Sequence, residues 1–411
     1  MKNIGIIGAG ASGLFAAVNV KTNQNNVTIL EKNPSIGKKI LMTGNGRCNI
    51  TNAKIYDEFL ENIIRNKKFL YSSFRSHDNY ASMDYFNNQG LELVIEENDR
   101  VFPKSQKASD VVKFFENQLI DKNIKLVTEA EVIDVEKEPN FFCVKTSDKT
   151  YHFDSLIVAT GGLSYPSTGS TGDGYKFATS FGHNIEKTHP SLVPIFFKDK
   201  DLIDIKAINL DQATLHLRSN GKLISKSGSI LLTKNFLTGP SVLELSASLI
   251  GNDISQMYLD LVAEKENTLD DRLINYFKEG PNKSVSNILR QILTSALVDV
   301  VLSRARVKKD KKANQITKEE RINIVNAIKE FKLDFDKLGG YNTAIITRGG
   351  VAVDDIDPKT MESKLVDNLY FVGEVLDIDG LTGGYNLQIA YTTAYAAAKS
   401  IKEDIWHTLL P

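Results

Sequence analysis

Apolar and polar positions at the start of the chain alternate in blocks that predict a β-strand, a tight turn and a helix. Residues 4–7 form a short apolar run, a glycine-rich stretch follows, and a helical period begins near Ser12. A second apolar run at 27–30 ends in the acidic Glu31. This order of elements is typical of a βαβ unit with two parallel strands.

The middle of the chain predicts further strands with two different patterns. Residues 126–154 alternate in short runs separated by polar turns, which indicates an antiparallel β-meander. The stretch SLIVATGG at 155–162 is apolar and ends in small residues, as expected of a buried strand whose end lies close to a ligand. Gly169, Gly172 and Gly174 then lead into a helix.

The pattern changes near residue 190 and returns to its first form near residue 345. Residues between these points alternate as β-strands first and then take on a helical period, with Thr317 and Glu320 as a predicted capping box. The prediction is an α/β protein whose Rossmann-like domain is split in sequence by an inserted part. The predicted bounds are 1–189 and 345–411 for the nucleotide-binding domain, 190–264 with 336–344 for a β-rich domain, and 265–335 for a helical subdomain.

Composition narrows the class of protein. The 411 residues are 42% hydrophobic and 25% charged, which is ordinary for a globular protein and excludes disorder or a fibre. The net charge of −1 gives no general attraction to nucleic acid, so a small-molecule partner is expected. The two cysteines offer neither a disulfide framework nor metal-ligand spacing, which favours a cytoplasmic protein without a metal site. No run is apolar enough to span a bilayer, and glycines interrupt the N-terminal run too often for a signal peptide.

The glycines of the first turn predict a dinucleotide-binding site. Gly8, Gly10 and Gly13 form the pattern G-x-G-x-x-G between the strand and the helix. The first permits the tight turn, the second lets a diphosphate approach the backbone, and the third lets the helix lie close to the strand. The first helical turn, with Ala11 and Ser12, presents free N–H groups to the diphosphate, and the acid that ends the second strand would bind ribose hydroxyls.

The segment after Glu31 favours FAD over NAD. An NAD-dependent dehydrogenase would continue with further βαβ units, whereas this chain enters the loop KNPSIGKKILMTGNGRCNITN. In FAD proteins such a segment runs along the diphosphate towards the flavin ring. Lys32, Lys39 and Arg47 can offset phosphate charge or polarise the flavin, and Asn49 supplies amide donors and acceptors.

A second glycine-rich turn near the C-terminus predicts the other wall of the site. A strand ends at Gly373 and Glu374, and two adjacent glycines then open onto a helix. The dipole of that helix would favour the negative charge that reduced flavin develops around N1 and the C2 carbonyl. An alanine-rich packing helix is the alternative, but it does not explain two adjacent glycines with an acid before them. The residues at this turn are Gly383, Gly384, Tyr385, Asn386 and Leu387.

Several blocks together resemble one family: GAGASG, GKKILMTGNGRCNITN, ATGG, TRGGV and FVGEVLDIDGLTGGYNLQIAY. They are similar to the bacterial NAD(P)/FAD-dependent oxidoreductase family that includes aminoacetone oxidase and a reductase flavoprotein linked to bile-acid 7-dehydroxylation. The resemblance runs over essentially the whole chain. It implies a glutathione-reductase-like FAD domain, split in sequence by a β-barrel-like domain that carries a helical subdomain.

The motifs and the resemblance together predict a set of cofactor-binding residues. Val132, in the meander, would offer backbone groups to the adenine. The full set is Gly8, Gly10, Ala11, Ser12, Gly13, Glu31, Lys32, Lys39, Gly44, Gly46, Arg47, Cys48, Asn49, Val132, Thr160, Gly161, Gly162, Gly373, Glu374, Gly384, Tyr385, Asn386 and Leu387.

The expected reaction is hydride or electron transfer through flavin N5. The donor would be NAD(P)H or an amine, and the acceptor oxygen or an organic substrate. Because the chain has one dinucleotide fingerprint, NAD(P)H would bind transiently in a cleft between the FAD-binding and inserted domains. Two alternatives stay open: a flavoprotein that modifies tRNA, and an FAD-binding protein without catalytic activity. The sequence predicts no oligomeric state.

No residue is singled out as the general acid or base. His183 and His189 fit hydrogen-bonded structural roles better than catalytic ones, and Tyr165 and Tyr385 are weaker candidates for proton donors. Cys48 has no C-x-x-C partner, so it is expected to be a small wall residue instead of a redox thiol. The charge run RVKKDKKANQ, at residues 306–315, is interpreted as a solvated loop.

Overall fold

The protein consists of two compact units. Its structure, a computed structural model, describes residues 1–409, with side chains to residue 405. Unit 1 contains Met1–Pro190 and Tyr341–Pro411, and unit 2 contains Ser191–Gly340. The two changes in sequence pattern, near residues 190 and 345, therefore fall close to the borders between the units.

The strands of the described residues are, in chain order, β1 (Lys2–Ile7), β2 (Asn25–Leu30), β3 (Thr51–Asn52), β4 (Ile63–Arg65), β5 (Leu93–Ile95), β6 (Arg100–Pro103), β7 (Lys125–Val127), β8 (Val132–Lys137), β9 (Phe142–Thr146), β10 (Thr150–Phe153), β11 (Ser155–Val158), β12 (Ile185–Ser191), β13 (Ile195–Phe197), β14 (Ile208–Ser219), β15 (Lys222–Leu232), β16 (Phe236–Thr238), β17 (Ile254–Asp260), β18 (Phe331–Leu333), β19 (Phe335–Leu338), β20 (Ile346–Val351), β21 (Leu369–Phe371) and β22 (Asp379–Gly380).

The α-helices of the same residues are α1 (Ala11–Val20), α2 (Lys38–Met42), α3 (Tyr56–Glu61), α4 (Lys67–Ser76), α5 (Asn79–Asn88), α6 (Ala108–Asp121), α7 (Asp173–Ser180), α8 (Pro240–Ala247), α9 (Glu266–Glu279), α10 (Val285–Leu289), α11 (Ser295–Arg304), α12 (Lys318–Lys329) and α13 (Tyr385–Leu409).

A parallel sheet forms the centre of unit 1, with strand order β21-β11-β1-β2-β7. Strand β1 pairs with β2 on one side and β11 on the other, so that Ile4 lies opposite Val27 and Ser155. The strands are apolar on both faces because both faces are covered, and Ile4 and Ile157 are fully buried. This confirms the predicted Rossmann-like α/β fold and places the turn after β1 at the carboxyl edge of the sheet, where such folds bind ligands.

Smaller sheets complete unit 1. The predicted meander is present as the antiparallel sheet β10-β9-β8, and β3, β5 and β6 form a second three-stranded sheet. Two short pairs, β12 with β20 and β22 with β4, bring the C-terminal part of the chain against earlier segments. The second of these pairs carries a buried acid, Asp379.

Unit 2 is built on a seven-stranded antiparallel sheet with the order β18-β17-β14-β15-β16-β13-β19. Strands β18 and β19 are at opposite ends of this order, yet Asp334 alone separates them in the chain. The sheet must therefore curve until its two ends meet, which gives the predicted barrel-like form. Asn220 and Gly221 join β14 and β15 as a hairpin, and this pair of residues is typical of such turns.

The helices of unit 2 share one apolar core with this sheet, since buried side chains of α9, α11 and α12 join those of the strands. The predicted capping box is present, with Thr317 accepting from the backbone N–H of Glu320 and the Glu320 carboxylate accepting from that of Thr317.

Two details of the prediction for unit 2 are wrong. The helical segment ends at Lys329 and β18 follows it, and the β-rich stretch contains the helix α8. Pro240 at the start of α8 favours a helix N-terminus, a local signal that the strand pattern on both sides masked.

Two features are absent from the described residues. None of the helices there is long and apolar enough to cross a membrane. The same residues contain no group of three or more histidine, cysteine or acidic side chains placed to hold a metal ion.

Candidate functional site: a cofactor cradle in the Rossmann-like unit

The turn between β1 and α1 needs glycine at two positions for packing. Gly8 has a φ of +103°, and a Cβ there would lie 2.6 Å from the carbonyl oxygen of Ala159. A Cβ on Gly13 would lie 1.9 Å from the carbonyl oxygen of Gly8, so the helix can approach the strand only without a side chain. Both roles agree with the expectations from the fingerprint.

Gly10 differs from the other two glycines because nothing lies within 4 Å of the position of its Cβ. Its φ of −82° is accessible to any residue, so neither backbone conformation nor packing within the protein requires glycine here. It is also the N-cap of α1, and no side chain caps this helix. The space above Gly10 and the free N–H groups of the first turn fit a diphosphate held at the helix N-terminus.

Ala11 and Ser12 form that first turn. Ser12 is buried, and a Cβ on Gly373 would lie 2.6 Å from its hydroxyl oxygen. Gly373 itself has a φ of +76°, which favours glycine, and its N–H donates to the hydroxyl of Thr393. The structure therefore brings the start of α1 against the residue that follows β21.

The carboxylate of Glu31 is buried and supports the glycine turn. It accepts hydrogen bonds from the backbone N–H of Ala9 at 2.7 Å and from the backbone and side chain of Asn33 at 2.8 and 2.7 Å. The carbonyl of Glu31 accepts from the N–H of Ala130, two residues before the buried Val132. This bond brings the segment that contains Val132 close to Glu31 in space, and the role of Val132 as an adenine contact stays a prediction.

The two nominated lysines of this region both have acidic partners. Lys32 forms an ion pair with Asp173 at 2.6 Å, at the start of α7. Lys39 forms an ion pair with Glu374 and also donates to the hydroxyl of Ser164. Their charges are therefore balanced within the protein, and each lysine joins the loop after Glu31 to a distant part of unit 1.

Glu374 is the centre of a hydrogen-bond network at the carboxyl end of the parallel sheet. It accepts from the hydroxyl of Ser164 and from the N–H of Thr347 at 2.9 Å. The Thr347 hydroxyl in turn accepts from the N–H of Leu163 at 2.7 Å and from that of Ser164 at 3.0 Å. This network holds the loop that follows β11.

The predicted residues Thr160, Gly161 and Gly162 lie in that loop. Gly161 has a φ of +73°, and a Cβ on Gly162 would lie 2.5 Å from the hydroxyl oxygen of Thr347. The small residues that ended the SLIVATGG stretch are thus required by close packing against the Glu374 network.

The segment from Gly44 to Cys48 has an unusual backbone. Gly44, Asn45, Gly46 and Cys48 all have φ values between +56° and +80°. Gly46 has open space around its Cβ position, whereas Gly44 approaches the N–H of Asn49. The N–H of Arg47 donates to the carbonyl of Gly44 at 3.2 Å and that of Cys48 to the carbonyl of Thr43 at 3.0 Å, which holds the segment in this tight turn.

Arg47 is held on the protein surface by its own neighbours. Its guanidinium donates to both carboxylate oxygens of Glu96 at 3.1 Å and to the side chain of Gln106 at 2.9 Å. It also lies over the ring of Phe102, 4.1 Å from the centroid. The structure does not place it against Lys39 or Glu374, and its proposed role towards the cofactor stays a prediction.

Cys48 and Asn49 lie on the inner side of the same segment. Cys48 is fully buried, and burial raises the pKa of its thiol to about 12, which suits a wall residue better than a nucleophile. The side-chain oxygen of Asn49 is buried and has no hydrogen-bond partner among the described residues. Such an orphaned acceptor is expected where a bound group supplies the missing donor.

The turn before α13 needs both of its glycines. Gly383 and Gly384 have φ values of +115° and +100°, and a Cβ on Gly384 would lie 2.4 Å from the backbone of Thr51. Tyr385 is buried with its ring 4.9 Å from that of Phe59, so it belongs to the core. The carbonyl of Gly384 accepts from the N–H of Gln388, which starts the helix.

Asn386 and Leu387 have structural contacts of their own. The Asn386 side chain accepts from the N–H of Gly380 at 2.8 Å and donates to the Gly380 carbonyl at 2.9 Å, which clamps the preceding loop. Leu387 packs against the main core of unit 1. These side chains therefore shape the turn before α13.

Sequence reasoning missed the acid that the clamped loop carries. Asp379 is 1% exposed, and both of its carboxylate oxygens lack a hydrogen-bond partner within the described part of the chain. Burial raises its pKa to about 7, and Asp377 and Glu374 add to this effect, whereas Arg348 and Arg65 oppose it. The neighbouring Asp377 is satisfied, since it accepts from Arg65 and from Asn66. The only signal in the sequence was the pair of acids in the block LDIDG.

His183, His189 and Tyr165 are weaker candidates for a general acid or base. His183 contacts the carbonyl of Ala178 and the hydroxyl of Ser363, as a structural histidine would, and burial lowers its pKa. Burial also lowers the pKa of His189. Tyr165 is half-buried, and burial raises its pKa.

The parallel sheet, the glycine turn with open space at Gly10 and the orphaned acceptor of Asn49 define a Rossmann-type FAD-binding oxidoreductase. The chain belongs to the family described as HI0933-like protein Rossmann domain, whose model matches residues 2–400. The predicted resemblance to a bacterial flavoprotein family is therefore confirmed.

Comparison with curated proteins finds similar chains of nearly the same length. A ribosomal RNA dihydrouridine synthase of Haemophilus influenzae is 32% identical over 97% of this chain and 98% of that protein. A 3-dehydro-bile acid delta(4,6)-reductase of Clostridium scindens is 29% identical over 98% of this chain and 100% of that protein. Among solved structures, the 3-ketosteroid delta1-dehydrogenase of Sterolibacterium denitrificans has a TM-score of 0.52 at 12% identity, over 98% of this chain and 100% of that one, and shares the fold.

Proposed function

We propose that this flavin-dependent oxidoreductase saturates a carbon–carbon double bond that is conjugated to a carbonyl group. The observation that carries the proposal is that the two curated relatives differ in acceptor but share this reaction. A 3-dehydro steroid with double bonds at C4 and C6 is a conjugated enone. The uracil ring has its C5–C6 double bond next to the C4 carbonyl, and dihydrouridine is its saturated form.

The proposed reaction balances with NAD(P)H as the reductant. NAD(P)H loses a hydride and becomes NAD(P)⁺, one carbon of the double bond gains that hydride, and the other carbon gains a proton. Bound FAD would supply the hydride-transfer chemistry between the two. The chain itself must hold the cofactor, orient the acceptor and provide the proton.

The residues at the carboxyl edge of the parallel sheet can hold FAD. The N-terminus of α1 above Gly10 would bind the diphosphate, and the backbone of the segment from Gly44 to Cys48 would face the flavin. Asn49 would accept a hydrogen bond from the ring system, because its buried oxygen has no other partner among the described residues. The Lys39–Glu374 pair would keep the two walls of this cradle together.

We assign to Asp379 the role of donating the proton to the second carbon of the double bond. A carboxyl group with a pKa of about 7 holds its proton at neutral pH and can still release it, which is the property required of a general acid. Both oxygens are free of hydrogen bonds within the described residues, so no protein group competes for that proton. The Asn386 clamp on Gly380, the next residue, fixes its position beside the turn before α13.

For the acceptor we favour a uracil ring in ribosomal RNA. The Haemophilus influenzae relative supports this choice at 32% identity and nearly full length. Unit 2 also carries an excess of lysine and arginine over aspartate and glutamate, whereas unit 1 has the reverse balance. The near-zero net charge of the whole chain therefore hides a basic unit, and it no longer argues against RNA. This proposal replaces the expected small-molecule acceptor, and it differs from the tRNA-modifying alternative because the acceptor base lies in ribosomal RNA.

A direct test combines cofactor analysis with nucleoside analysis. The purified protein should be yellow and release FAD on denaturation, and NADH or NADPH should bleach the flavin under anaerobic conditions. The protein would then be incubated with NADPH and ribosomal RNA from cells that lack the gene, and digested nucleosides would be examined by mass spectrometry. We expect dihydrouridine to form. Flavin reduction without any dihydrouridine would contradict the RNA acceptor.

The second candidate acceptor is a small conjugated enone, favoured by the full-length match to the Clostridium scindens reductase. A panel of 3-keto-4-ene and 4,6-diene steroids, assayed by reoxidation of the reduced flavin, tests it. Fast reoxidation by an enone combined with no effect of RNA would favour this candidate over the first.

A further inference from the structure

A short segment between α11 and α12 concentrates positive charge. Residues 306–312 contain five cations and the single acid Asp310. The structure shows that this segment is not a loose loop. The N–H of Val285 donates to the carbonyl of Lys311 at 2.9 Å, and the N–H of Ala313 donates to the carbonyl of Lys283 at 3.0 Å. These bonds fix the segment against the start of α10 and bring Lys283 beside it.

The side chains of the segment divide between the core and the solvent. Val307 and Ala313 are buried in unit 2, at 5% and 3% exposure. Lys308, Lys309 and Lys312 are exposed. The anchoring residues therefore point inward and the lysines are presented outward from an ordered backbone.

Two acids of the neighbouring helices α12 and α9 are already paired with other cations. Glu320 binds Lys311 at 2.6 Å and caps α12, and Asp270 binds Arg321 at 2.6 Å. Lys283, Arg306, Lys308, Lys309 and Lys312, here called the basic face, form no ion pair within the described part of the chain. Asp310 is exposed among them and leaves the face strongly positive.

The composition of the basic face limits what it can bind. The apolar residues of the segment are buried, so the face has no exposed apolar group to insert into a lipid surface. It also has no aromatic side chain on which an unpaired base could stack. Cations without either feature suit the phosphates of a folded nucleic acid, which attract fixed positive charge independently of base sequence.

We propose that the basic face of unit 2 binds the phosphate backbone of the structured RNA that carries the acceptor base. This inference rests on the proposed RNA acceptor and adds the surface that holds it. The face would supply affinity and would leave recognition of the reacting base to unit 1. Each phosphate that it neutralises releases condensed counterions, so binding should weaken steeply with salt.

The test compares two triple variants of the full-length holoenzyme. Lys308→Ala, Lys309→Ala and Lys312→Ala remove three cations from the basic face. Lys206→Ala, Lys222→Ala and Lys234→Ala remove three exposed lysines elsewhere in unit 2 and serve as the matched control. Binding of transcribed ribosomal RNA and of an RNA duplex would be measured over a series of salt concentrations. Vesicles of phosphatidylcholine with phosphatidylglycerol would be a separate probe.

We expect the first variant to lose at least about tenfold in RNA affinity and to lower the salt slope by about 2–3, since each duplex phosphate contact contributes about 0.9. The control should keep the wild-type slope. Flavin reduction by NADPH should be the same in all three proteins. Equal slopes in the two variants, or binding to vesicles with no binding to RNA, would overturn the proposal.

The test of the basic face can be distinguished from the test of the proposed function. RNA binding is read without turnover, and dihydrouridine formation is read without reference to the variants. Dihydrouridine formation with unchanged RNA affinity in the first variant refutes the basic face alone. Salt-dependent RNA binding that the first variant loses upholds the face, even where no dihydrouridine forms and the proposed reaction fails.

Discussion

Lys39 and Glu374 form an ion pair although 335 positions separate them in the chain. The same carboxylate accepts hydrogen bonds from Ser164 and Thr347. The pair therefore fixes α2 in the loop after β2, the loop after β11 and the segment after β21 in one arrangement. These are the three segments that would surround the cofactor.

Replacing Lys39 with methionine should loosen this arrangement. The carboxylate of Glu374 would keep two hydrogen bonds but lose its counter-charge in a half-buried place, which should lower the free energy of unfolding by about 1–3 kcal/mol. FAD retention should fall as well, because two walls of the cradle depend on the pair. Urea unfolding and FAD release on dilution would measure the two effects.

The control for this change is Lys54→Met. Lys54, which precedes α3, and Glu58, within α3, form an exposed pair at 3.4 Å, and such pairs contribute about 0–1 kcal/mol. A loss of stability in Lys54→Met as large as that in Lys39→Met would show that the Glu374 network has no special role.

Gly10 and Gly13 should respond differently to alanine. Gly13→Ala places a Cβ 1.9 Å from a carbonyl oxygen, so it should destabilise the protein by at least about 3 kcal/mol. Gly10→Ala meets no protein atom, and the apoprotein should keep its stability to within about 0.5 kcal/mol. Its affinity for FAD should nevertheless fall at least about tenfold, because the methyl group fills the space proposed for the diphosphate.

Thermal unfolding of the apoproteins and fluorescence titration with FAD separate these outcomes. Unchanged FAD affinity in Gly10→Ala would place the diphosphate elsewhere. Wild-type stability in Gly13→Ala would contradict the close packing of α1 on the glycine turn.

Asp379 should make the protein less stable as pH rises. Its folded pKa of about 7 lies above the ordinary value of 3.8, so between these values the unfolded chain has released a proton that the folded chain retains. Stability contributed by the protonated group is therefore complete below pH 3.8 and is lost progressively up to pH 7. Asp379→Asn should remove this loss and raise the free energy of unfolding above pH 7, by at most about 4 kcal/mol.

The quantity to compare is the difference in free energy of unfolding between variant and wild type at each pH. Burial lowers the pKa of His77 to about 4, which gives it the opposite effect, with stability lost as pH falls from 6.5 towards 4. Asp379→Asn should also abolish reduction of the acceptor while flavin reduction by NADPH continues. In the wild type, acceptor reduction should decline above pH 7. A variant with full turnover would refute the assignment of the proton.

Cys48 should be inert in the native protein. A fully buried thiol with a pKa of about 12 should react with iodoacetamide at least about a hundredfold more slowly than an exposed one. Cys143 is partly exposed and serves as the internal reference. Peptide mass spectrometry after a timed reaction measures both residues. Labelling of Cys48 as fast as Cys143 would reopen the possibility of a redox thiol.

The Rossmann-like unit was predictable because its signals are local. The order of strand, glycine turn and helix is written in consecutive residues, and the requirements for Gly8 and Gly13 come from backbone geometry within a few positions. The capping box at Thr317 was predictable for the same reason. The helix α8 and the strand β18 were missed because each is short and flanked by a stronger pattern of the other kind.

The partners of the charged residues could not be predicted from local signals. No local pattern indicated that Arg47 would bind Glu96, which follows the distant strand β5. The sequence around Asp379 did not indicate that this residue is buried, because its burial depends on the pairing of β22 with β4. A charge finds its partner only when the chain has folded, since many acids and bases of the sequence are chemically equivalent.

The sequence by itself determined the fold class, the glycine turns and the family, because these depend on spacing and backbone conformation over short stretches. Only the tertiary structure decided that Lys39 meets Glu374, that Asp379 lies unpaired in the interior and that the lysines around Lys309 are held outward by an ordered backbone. Burial and ion pairing arise from segments that are far apart in the chain, and no local pattern encodes which of them will meet.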